Sequence, residues 1–175
     1  MGDARAEHDR FASMFDELSR HVYAYARRQL PAADAQDVVA DTFLVAWRRW
    51  SDVPERALPW LLVVARNTIA NRRRHDRRQG RLTDTTAVLE RLAGPAVGAD
   101  QSVVERAALL EALVGLSEAE REAVLLVAWS PLSRREAAAV AGCSQRAFEV
   151  RLSRARARLA RALDDDRLPA GHGEE

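Results

Sequence analysis

The stretch LSRREAAAVAGCSQRAFEVRLSRARARL, residues 132–159, decides how the second half of this chain folds. Ser133 and Glu136 match the capping box that opens a helix. This helix is expected to end at Gly142, because a residue without a Cβ tolerates the positive φ of a tight turn. Ser144 then caps a second, longer helix. Two helices joined by a short glycine-containing turn predict a helix-turn-helix motif.

The second helix of this motif has a predicted core side and a predicted outer side. The core side falls within about 60° of arc at roughly 100° per residue and consists of Phe148, Leu152, Ala155 and Leu159. Since the first turns of a recognition helix enter the major groove of duplex DNA, the outer residues are candidates for contacts with bases and phosphates. These candidates are Ser144, Gln145, Arg146, Glu149, Val150, Arg151, Ser153 and Arg154, with Arg156 and Arg158 for phosphates alone. An ordinary helical hairpin with a solvated outer face is the alternative interpretation.

Helical periodicity also dominates the rest of the chain, and no alternation of apolar and polar residues is long enough to predict a sheet. We therefore predict an all-α fold. Asp34 is expected to cap a helix that carries Asp37 in its first turn, and Pro59 suits the first turn of the next helix. The segment 51–58 between these helices is predicted to be a loop.

The composition changes near Gly80, where glycine, proline and scattered acids replace the helical pattern. We expect residues 81–101 to be a flexible linker between two small helical domains. These domains would span residues 1–80 and 102–163, and residues 164–175 would form a frayed tail.

The charge of the chain is balanced overall but sorted along it. There are 27 basic and 26 acidic residues, and every basic one is arginine. Residues 66–81 contain seven arginines and one acid, and residues 144–163 contain six arginines and one acid. Two basic helices in two predicted domains indicate two contacts with a polyanion such as nucleic acid.

Composition excludes several classes of function. Without lysine there is no Schiff base and no P-loop lysine, and the single Cys143 excludes an internal disulfide and an all-cysteine zinc site. No nucleophile and histidine occur together at motif spacing, so we expect neither an enzyme nor a bound cofactor. No apolar run reaches the roughly 20 residues that span a bilayer, and the charged start carries no signal segment. The expected location is the cytoplasm.

The helix from Asp34 carries an acidic face, because Asp34, Asp37 and Asp41 follow one another at spacings of three and four residues. Metal binding is the less favoured interpretation, since no histidine or glutamate joins them. A docking surface for a basic protein helix fits better. Tryptophans flank the following loop. Trp47 is expected in the core, whereas aromatic side chains beside a basic helix can stack on unpaired bases.

Three stretches together resemble the extracytoplasmic-function sigma factors, small two-domain subunits that give bacterial RNA polymerase its promoter specificity. They are DAQDVVADTFLVAW at 34–47, PWLLVVARN at 59–67, and, in the helix-turn-helix, LSRREAAAVAGCS at 132–144 followed by RLSRARARL at 151–159, in the order and at about the spacing of that family. The resemblance implies sigma region 2 in the first domain and sigma region 4 in the second. The partners would be core RNA polymerase, promoter DNA and an anti-sigma factor.

The resemblance also implies a role for each site residue. The acidic face would dock on the clamp helices of the largest polymerase subunit, and the helix-turn-helix would read the −35 element. A flipped base and the melted strand of the −10 element would be held by Trp50, Ser51, Asp52, Trp60, Arg66, Asn67, Arg72, Arg73 and Arg74. The chain departs from the family at Pro131, where glycine is common, and in the short loop after Trp50.

A conventional helix-turn-helix regulator, with the first domain as a dimerisation or sensing module, is the alternative function. Such a regulator has no need of a second basic helix beside a tryptophan-bearing loop, so this feature favours the sigma factor. Run-off transcription separates the two, because only a sigma factor allows core polymerase alone to initiate.

Overall fold

The structure is a computed structural model that describes residues 2–78 and 103–165 of the 175-residue chain. These residues form seven α-helices and one 3-10 turn, and no strand occurs among them. The helices are α1 Gly2–Arg27, α2 Ala32–Arg48, α3 Ala57–Arg78, α4 Val103–Val114, α5 Glu118–Trp129, α6 Arg134–Val140 and α7 Gln145–Asp165, and the 3-10 turn is Trp50–Asp52. The predicted all-α class is confirmed.

The described helices fall into two compact units, α1–α3 and α4–α7. The predicted linker, 81–101, lies outside the described residues, as do residues 166–175 of the predicted tail. Helix α7 continues two residues beyond position 163, so the first residues assigned to a frayed tail are helical. No helix in the described ranges is long and apolar enough to cross a membrane.

Helices α1, α2 and α3 pack against one another in the first unit. Each turns one apolar stripe inward, as the helical period requires. The buried side chains of this core include Val22, Ala26, Ala35, Val38, Phe43, Ala46, Leu61, Leu62, Ala65 and Ile69. Because these stripes face inward, the opposite sides of α2 and α3 are left for partners.

Helix α2 begins at Ala32 and not at Asp34, so the predicted cap is wrong. Pro31 is the N-cap residue, with φ −54° and ψ 161°, and no side chain caps the helix. The Pro31 carbonyl accepts a hydrogen bond from the Ala35 N–H at 2.9 Å. The two alanines that follow Pro31 are strong helix formers, which moves the start of the helix forward. Asp34 consequently lies in the first turn and Asp37 in the second.

The predicted loop at 51–58 is shorter than expected. Its first residues continue the 3-10 turn Trp50–Asp52, and α3 already begins at Ala57. Ala57 and Leu58 are buried, and this burial extends α3 ahead of Pro59. Pro59 lies in the first turn of α3, as predicted, where its missing N–H removes no intrahelical hydrogen bond.

Helix α7 is the central element of the second unit and packs against α4, α5 and α6. Its residues Phe148, Leu152 and Ala155 are buried, and Leu159 is half-buried, which confirms the predicted core side. The core residues that meet this side from α4, its C-terminal turn and α5 include Leu113, Leu116 and Leu125. These contacts fix which side of α7 faces the core, and the opposite side is exposed to solvent.

Both predicted capping boxes are present. The Ser117 hydroxyl accepts from the Glu120 backbone N–H at 3.3 Å, and the Glu120 carboxylate accepts from the Ser117 N–H at 3.1 Å. Ser133 and Glu136 form the same reciprocal pair, at 3.3 and 2.7 Å. Since the first N–H groups of a helix lack intrahelical partners, each box determines where α5 or α6 begins.

The C-terminal end of α4 is held by a side chain from α5. The Arg121 guanidinium donates to the backbone carbonyls of Leu113, Val114 and Leu116 at 2.8, 3.1 and 2.9 Å. A cation at this end of a helix satisfies terminal carbonyls and opposes the helix dipole. Burial of the guanidinium lowers the pKa of Arg121 from its ordinary value.

Candidate docking and nucleic-acid surfaces

The turn between α6 and α7 is a Schellman motif. Gly142 has a φ of 65°, the one positive φ in the described part of the chain. The Cys143 N–H donates to the Ala138 carbonyl at 3.1 Å, which is the hydrogen bond that closes this motif. Ser144 then caps α7, because its hydroxyl accepts from the Ala147 N–H at 3.2 Å. The structure thus contains the helix-turn-helix that the sequence predicts.

The outer face of α7 carries most of the residues predicted to contact duplex DNA. The exposed ones are Ser144, Gln145, Arg146, Glu149, Val150, Ser153 and Arg154. Arg151 is half-buried. Val150 is unusual, since 44% of an apolar side chain is exposed. Such a side chain adds nothing to the core but suits contact with the methyl group of thymine.

Glu149, the one acid on the outer face of α7 near its start, has a cationic neighbour. Arg134 of α6 places its Nε 3.9 Å from Glu149 Oε1. Both side chains are partly exposed. A carboxylate repels DNA phosphates, and the guanidinium beside it offsets that charge while linking the two helices of the motif.

Arg158, a predicted phosphate contact, is engaged within the protein. Its Nη1 donates to Glu120 Oε2 at 3.1 Å and so joins α7 to α5. Hydrogen bonds from the Ser117 hydroxyl and backbone lower the pKa of Glu120, and the positive charges of Arg158 and Arg154 lower it further, outweighing the opposing effect of burial. Arg158 therefore links α7 to α5, while 56% of its side chain stays exposed.

The outer face of α3 is a polar stripe. Asn67, Asn71, Arg74 and Arg78 are all exposed and lie within about 60° of arc at roughly 100° per residue. Arg74 Nη2 donates to Asn71 Oδ1, which orders part of the stripe. Two of the predicted −10 contacts, Asn67 and Arg74, belong to it.

The other predicted −10 contacts of α3 lie away from this stripe. Arg66 and Arg73 are half-buried and make interactions within the protein. Arg72 lies about 140° around the helix from Asn67, towards the side of the buried Ile69. The structure therefore does not bring all the predicted cations of α3 onto one surface.

Arg72 binds the acidic face of α2. Its Nη1 donates to Asp37 Oδ2 and its Nη2 to Asp41 Oδ2, each at 3.2 Å. Nη1 also lies 3.7 Å from Asp34 Oδ1. The sequence assigned this arginine to DNA and the three aspartates to a protein partner. The structure joins them in one ion-pair network.

The ion pairs raise the pKa of Arg72. Burial alone would lower the pKa of Arg72, but hydrogen bonds to Asp41 and Asp37 and their negative charges raise it overall. The Arg72 guanidinium lies between the carboxylates of Asp37 and Asp41 and supplies the positive charge there. Among the described residues, no group of three or more His, Cys, Asp or Glu side chains is arranged to hold a metal ion.

The 3-10 turn holds three predicted −10 contacts in different environments. Asp52 accepts from Arg49 Nε at 2.9 Å and from Nη2 at 2.7 Å. Ser51 is exposed. Trp50 is half-buried, with its ring 5.8 Å from that of Phe11 in an edge-on contact. Trp60, on α3, is also half-buried.

Trp47 is not in the core, so that prediction is wrong. It is 48% exposed and rests edge-on against Phe11, with ring centroids 4.9 Å apart. The small Ala46 takes the inward position on α2 instead. Leu44, one helical turn before, is 45% exposed. The outer side of α2 therefore has an apolar part beside its acidic part.

Sequence reasoning missed Leu44 on α2 and Asn71 and Arg78 on α3. Each lies at a helical spacing from a residue that the sequence analysis did identify. Leu44 follows Asp41 by three positions, and Asn71 and Arg78 follow Asn67 by four and eleven. Helical spacing from the identified residues was the signal that could have found them.

Sequence comparison places both units in known families. The model of sigma-70 region 2 matches residues 14–79, and the model of sigma-70 region 4 matches residues 106–159. The chain is 35% identical to the RNA polymerase sigma factor CnrH of Cupriavidus metallidurans over 163 residues, which covers 85% of each protein. It is 30% identical to NccH of Alcaligenes xylosoxydans over 174 residues, covering 93% of this chain and 92% of that sigma factor.

Solved structures give the same result. The sigma factor RpoE of Bartonella quintana, crystallised with the anti-sigma factor NepR, is 25% identical, with a TM-score of 0.66 over 88% of this chain and 96% of that one. CnrH in complex with the cytosolic domain of CnrY is 30% identical, with a TM-score of 0.63 over 93% of this chain and 95% of that one.

Proposed function

This chain belongs to the extracytoplasmic-function family of RNA polymerase sigma factors. On that basis we propose which partner each of its surfaces binds during transcription initiation. The second unit reads the −35 element as duplex through α7. The first unit docks on core polymerase through α2 and holds the −10 element as a single strand through α3 and the 3-10 turn. The chain itself is not catalytic and acts in the cytoplasm.

One observation carries the assignment of the second unit. The side of α7 opposite the core exposes a connected set of polar side chains at the start of the helix, and the Schellman turn and the Ser144 cap fix its position. Arg146 is the exposed arginine of the first turn. Arginine is the residue most often found bidentate on guanine in the major groove. Arg146 is therefore our first candidate for reading a base.

The assignment of α3 to single-stranded DNA is supported by the chemistry of its outer stripe. Asn67 and Asn71 offer amide donors and acceptors, and Arg74 and Arg78 offer positive charge. Half-buried Trp50 and Trp60 lie near the start of the same helix and provide aromatic faces. Positive charge combined with aromatic side chains is the usual means of holding unpaired bases.

The outer side of α2 combines the two features that a helical protein partner requires. Asp37 and Asp41 supply charge for a basic surface, and Leu44 and Trp47 supply exposed apolar area beside it. Protein interfaces depend on a buried apolar centre with a charged surround. We assign this side to core polymerase. Since the structural relatives were solved with anti-sigma proteins, we also assign an anti-sigma factor as an inhibitory partner.

The alternative of a stand-alone regulator is not favoured, because the sigma-70 region 2 match covers α2, α3 and the second half of α1. Run-off transcription tests the proposed function. The chain is added to purified core polymerase on a promoter identified by transcript mapping after overexpression. We expect specific initiation with the chain and none without it. Failure of the chain to support any initiation contradicts the sigma assignment for this protein.

A pair of matched variants then tests the reading of the −35 element. Arg146→Ala should weaken binding to the cognate duplex by about 1–3 kcal/mol more than binding to a scrambled duplex. Arg161→Ala removes the same charge from the far end of α7, where the side chain donates to the Ala157 carbonyl at 3.2 Å. It should affect both duplexes equally. Equal losses for Arg146→Ala on both duplexes would show a phosphate contact.

A further inference from the structure

The Arg72 guanidinium connects two surfaces to which the proposed function gives different ligands. It projects from α3, whose outer stripe is proposed to hold single-stranded DNA. It donates to Asp37 and Asp41 on α2, at 3.2 Å each, and these acids are proposed to dock on polymerase. A single cation of the DNA-binding helix thus serves as the counter-charge of the docking face.

This cation is not locked in place. The Arg72 side chain is 30% exposed, and those of Asp37 and Asp41 are 63% and 52% exposed. Ion pairs so open to water contribute little to stability, since solvent screens them. The planar guanidinium fork pairs equally well with carboxylate and phosphate oxygens. Replacing a carboxylate by a phosphate as the partner of Arg72 therefore costs little free energy.

We propose that Arg72 is shared between the docking face and DNA. In the free protein Asp37 and Asp41 hold it. A basic surface that takes these carboxylates releases the long Arg72 side chain, which starts about 140° around α3 from Asn67, to reach a phosphate where the bound strand passes that side of the helix. This inference rests on the proposed function of both surfaces and adds how they are coupled. Since coupling between two ligands is reciprocal, DNA that captures Arg72 also frees the carboxylates for polymerase.

The test removes the carboxylates without adding polymerase. The full chain carrying Asp37→Asn and Asp41→Asn is titrated against a labelled mixed-sequence single strand by fluorescence anisotropy. We expect binding to tighten roughly three- to tenfold. The salt dependence should steepen by about 0.7, since one more phosphate contact releases one more counterion. The control, Asp16→Asn with Glu17→Gln, makes the same charge change at exposed positions of α1 and should give a smaller gain.

Two arginine backgrounds decide whether the gain passes through Arg72. With Arg72→Ala present, the gain from the Asp37 and Asp41 changes should fall to the level of the control. With Arg74→Ala present, which removes the same charge from the outer stripe, binding should be weaker but the gain should persist. Equal gains in the two backgrounds overturn the proposal.

Failure of this inference is distinguishable from failure of the proposed function. The Asp37→Asn and Asp41→Asn protein is also tested for binding to core polymerase. Undiminished polymerase binding contradicts the proposed docking function. If the gain in single-strand affinity does not depend on Arg72, the proposal that Arg72 is shared is contradicted.

Discussion

Arg158 Nη1 donates to Glu120 Oε2 across 3.1 Å and joins the last helix of the second unit to the capping box of α5. The same carboxylate accepts hydrogen bonds from the Ser117 hydroxyl at 2.8 Å and from the Ser117 N–H. Three donors converge on one nearly buried side chain. The charged state of Glu120 is therefore part of how the second unit is held together.

The second unit should lose stability in acid because of Glu120. Its pKa is lowered in the folded protein from the ordinary value of 4.5, so the unfolded chain binds the proton more readily. The stabilisation is complete above pH 4.5 and is lost as pH falls through the lower, folded pKa. Thermal unfolding of wild type and Glu120→Gln between pH 7 and acid should show a shallower decline for the variant. Parallel declines would show that Glu120 does not contribute.

Replacing either of two glycines of the second unit by alanine should change the unfolding free energy in opposite directions. Gly142→Ala forces a side chain into a positive φ of 65° and should cost about 1–2 kcal/mol of unfolding free energy. Gly115→Ala places its Cβ 3.5 Å from the Ala112 carbonyl oxygen, an ordinary contact, and no positive φ is involved. It should be neutral or stabilising by about 0.4–1 kcal/mol. Urea denaturation of the two variants checks this. Similar effects would contradict the assigned turn geometry.

Thr42→Val should stabilise the first unit. The Thr42 side chain is fully buried in α2, and its Oγ1 has no hydrogen-bond partner among the described residues. Replacing an unsatisfied hydroxyl by a methyl group of similar shape removes a desolvation penalty, and we expect a gain of about 1 kcal/mol. Chemical denaturation measures it, with Thr42→Ser, which keeps the hydroxyl and loses the methyl group, as the control. A loss of stability in Thr42→Val would mean that the hydroxyl is paired.

Leu44→Ser should weaken docking without harming the fold. Leu44 is 45% exposed, and exposed substitutions usually change stability by less than about 0.5 kcal/mol. If the outer side of α2 docks on core polymerase, losing the apolar area of Leu44 should reduce affinity by about tenfold. Ala12→Ser, at an exposed position of α1, serves as the control. Equal pull-down of core polymerase by both variants would exclude Leu44 from the interface.

The features that followed from sequence are those encoded within one helical turn. Ser117 with Glu120 and Ser133 with Glu136 form their capping boxes from residues three positions apart, so the pattern alone locates the helix starts. The core side of α7 follows from a single repeating interval. The helix-turn-helix needs only Gly142 in addition, because its conformation depends on the absence of a Cβ.

The features that escaped sequence reasoning depend on residues far apart in the chain. Arg72 meets Asp41 across 31 positions and Arg158 meets Glu120 across 38, and nothing local distinguishes either arginine from its neighbours. Trp47 has the hydrophobicity of a core residue, yet the rotation of α2 set by its neighbours turns it outward. Arg121 stands in an ordinary helical position, and only the packing of α5 beside α4 brings it to the carbonyls.

The Schellman turn at Gly142 makes the reading surface of α7 chemically replaceable. The direction of α7 is set by the backbone conformation at Gly142, by the Ser144 cap and by the buried Phe148. The outward-facing residues that follow Ser144 take no part in setting it. Changes at the exposed Arg146 or Val150 therefore alter the outer surface of α7 without altering where the helix lies. If α7 reads the −35 element as proposed, substitutions at these positions change promoter preference one position at a time while the helices that present them stay in place.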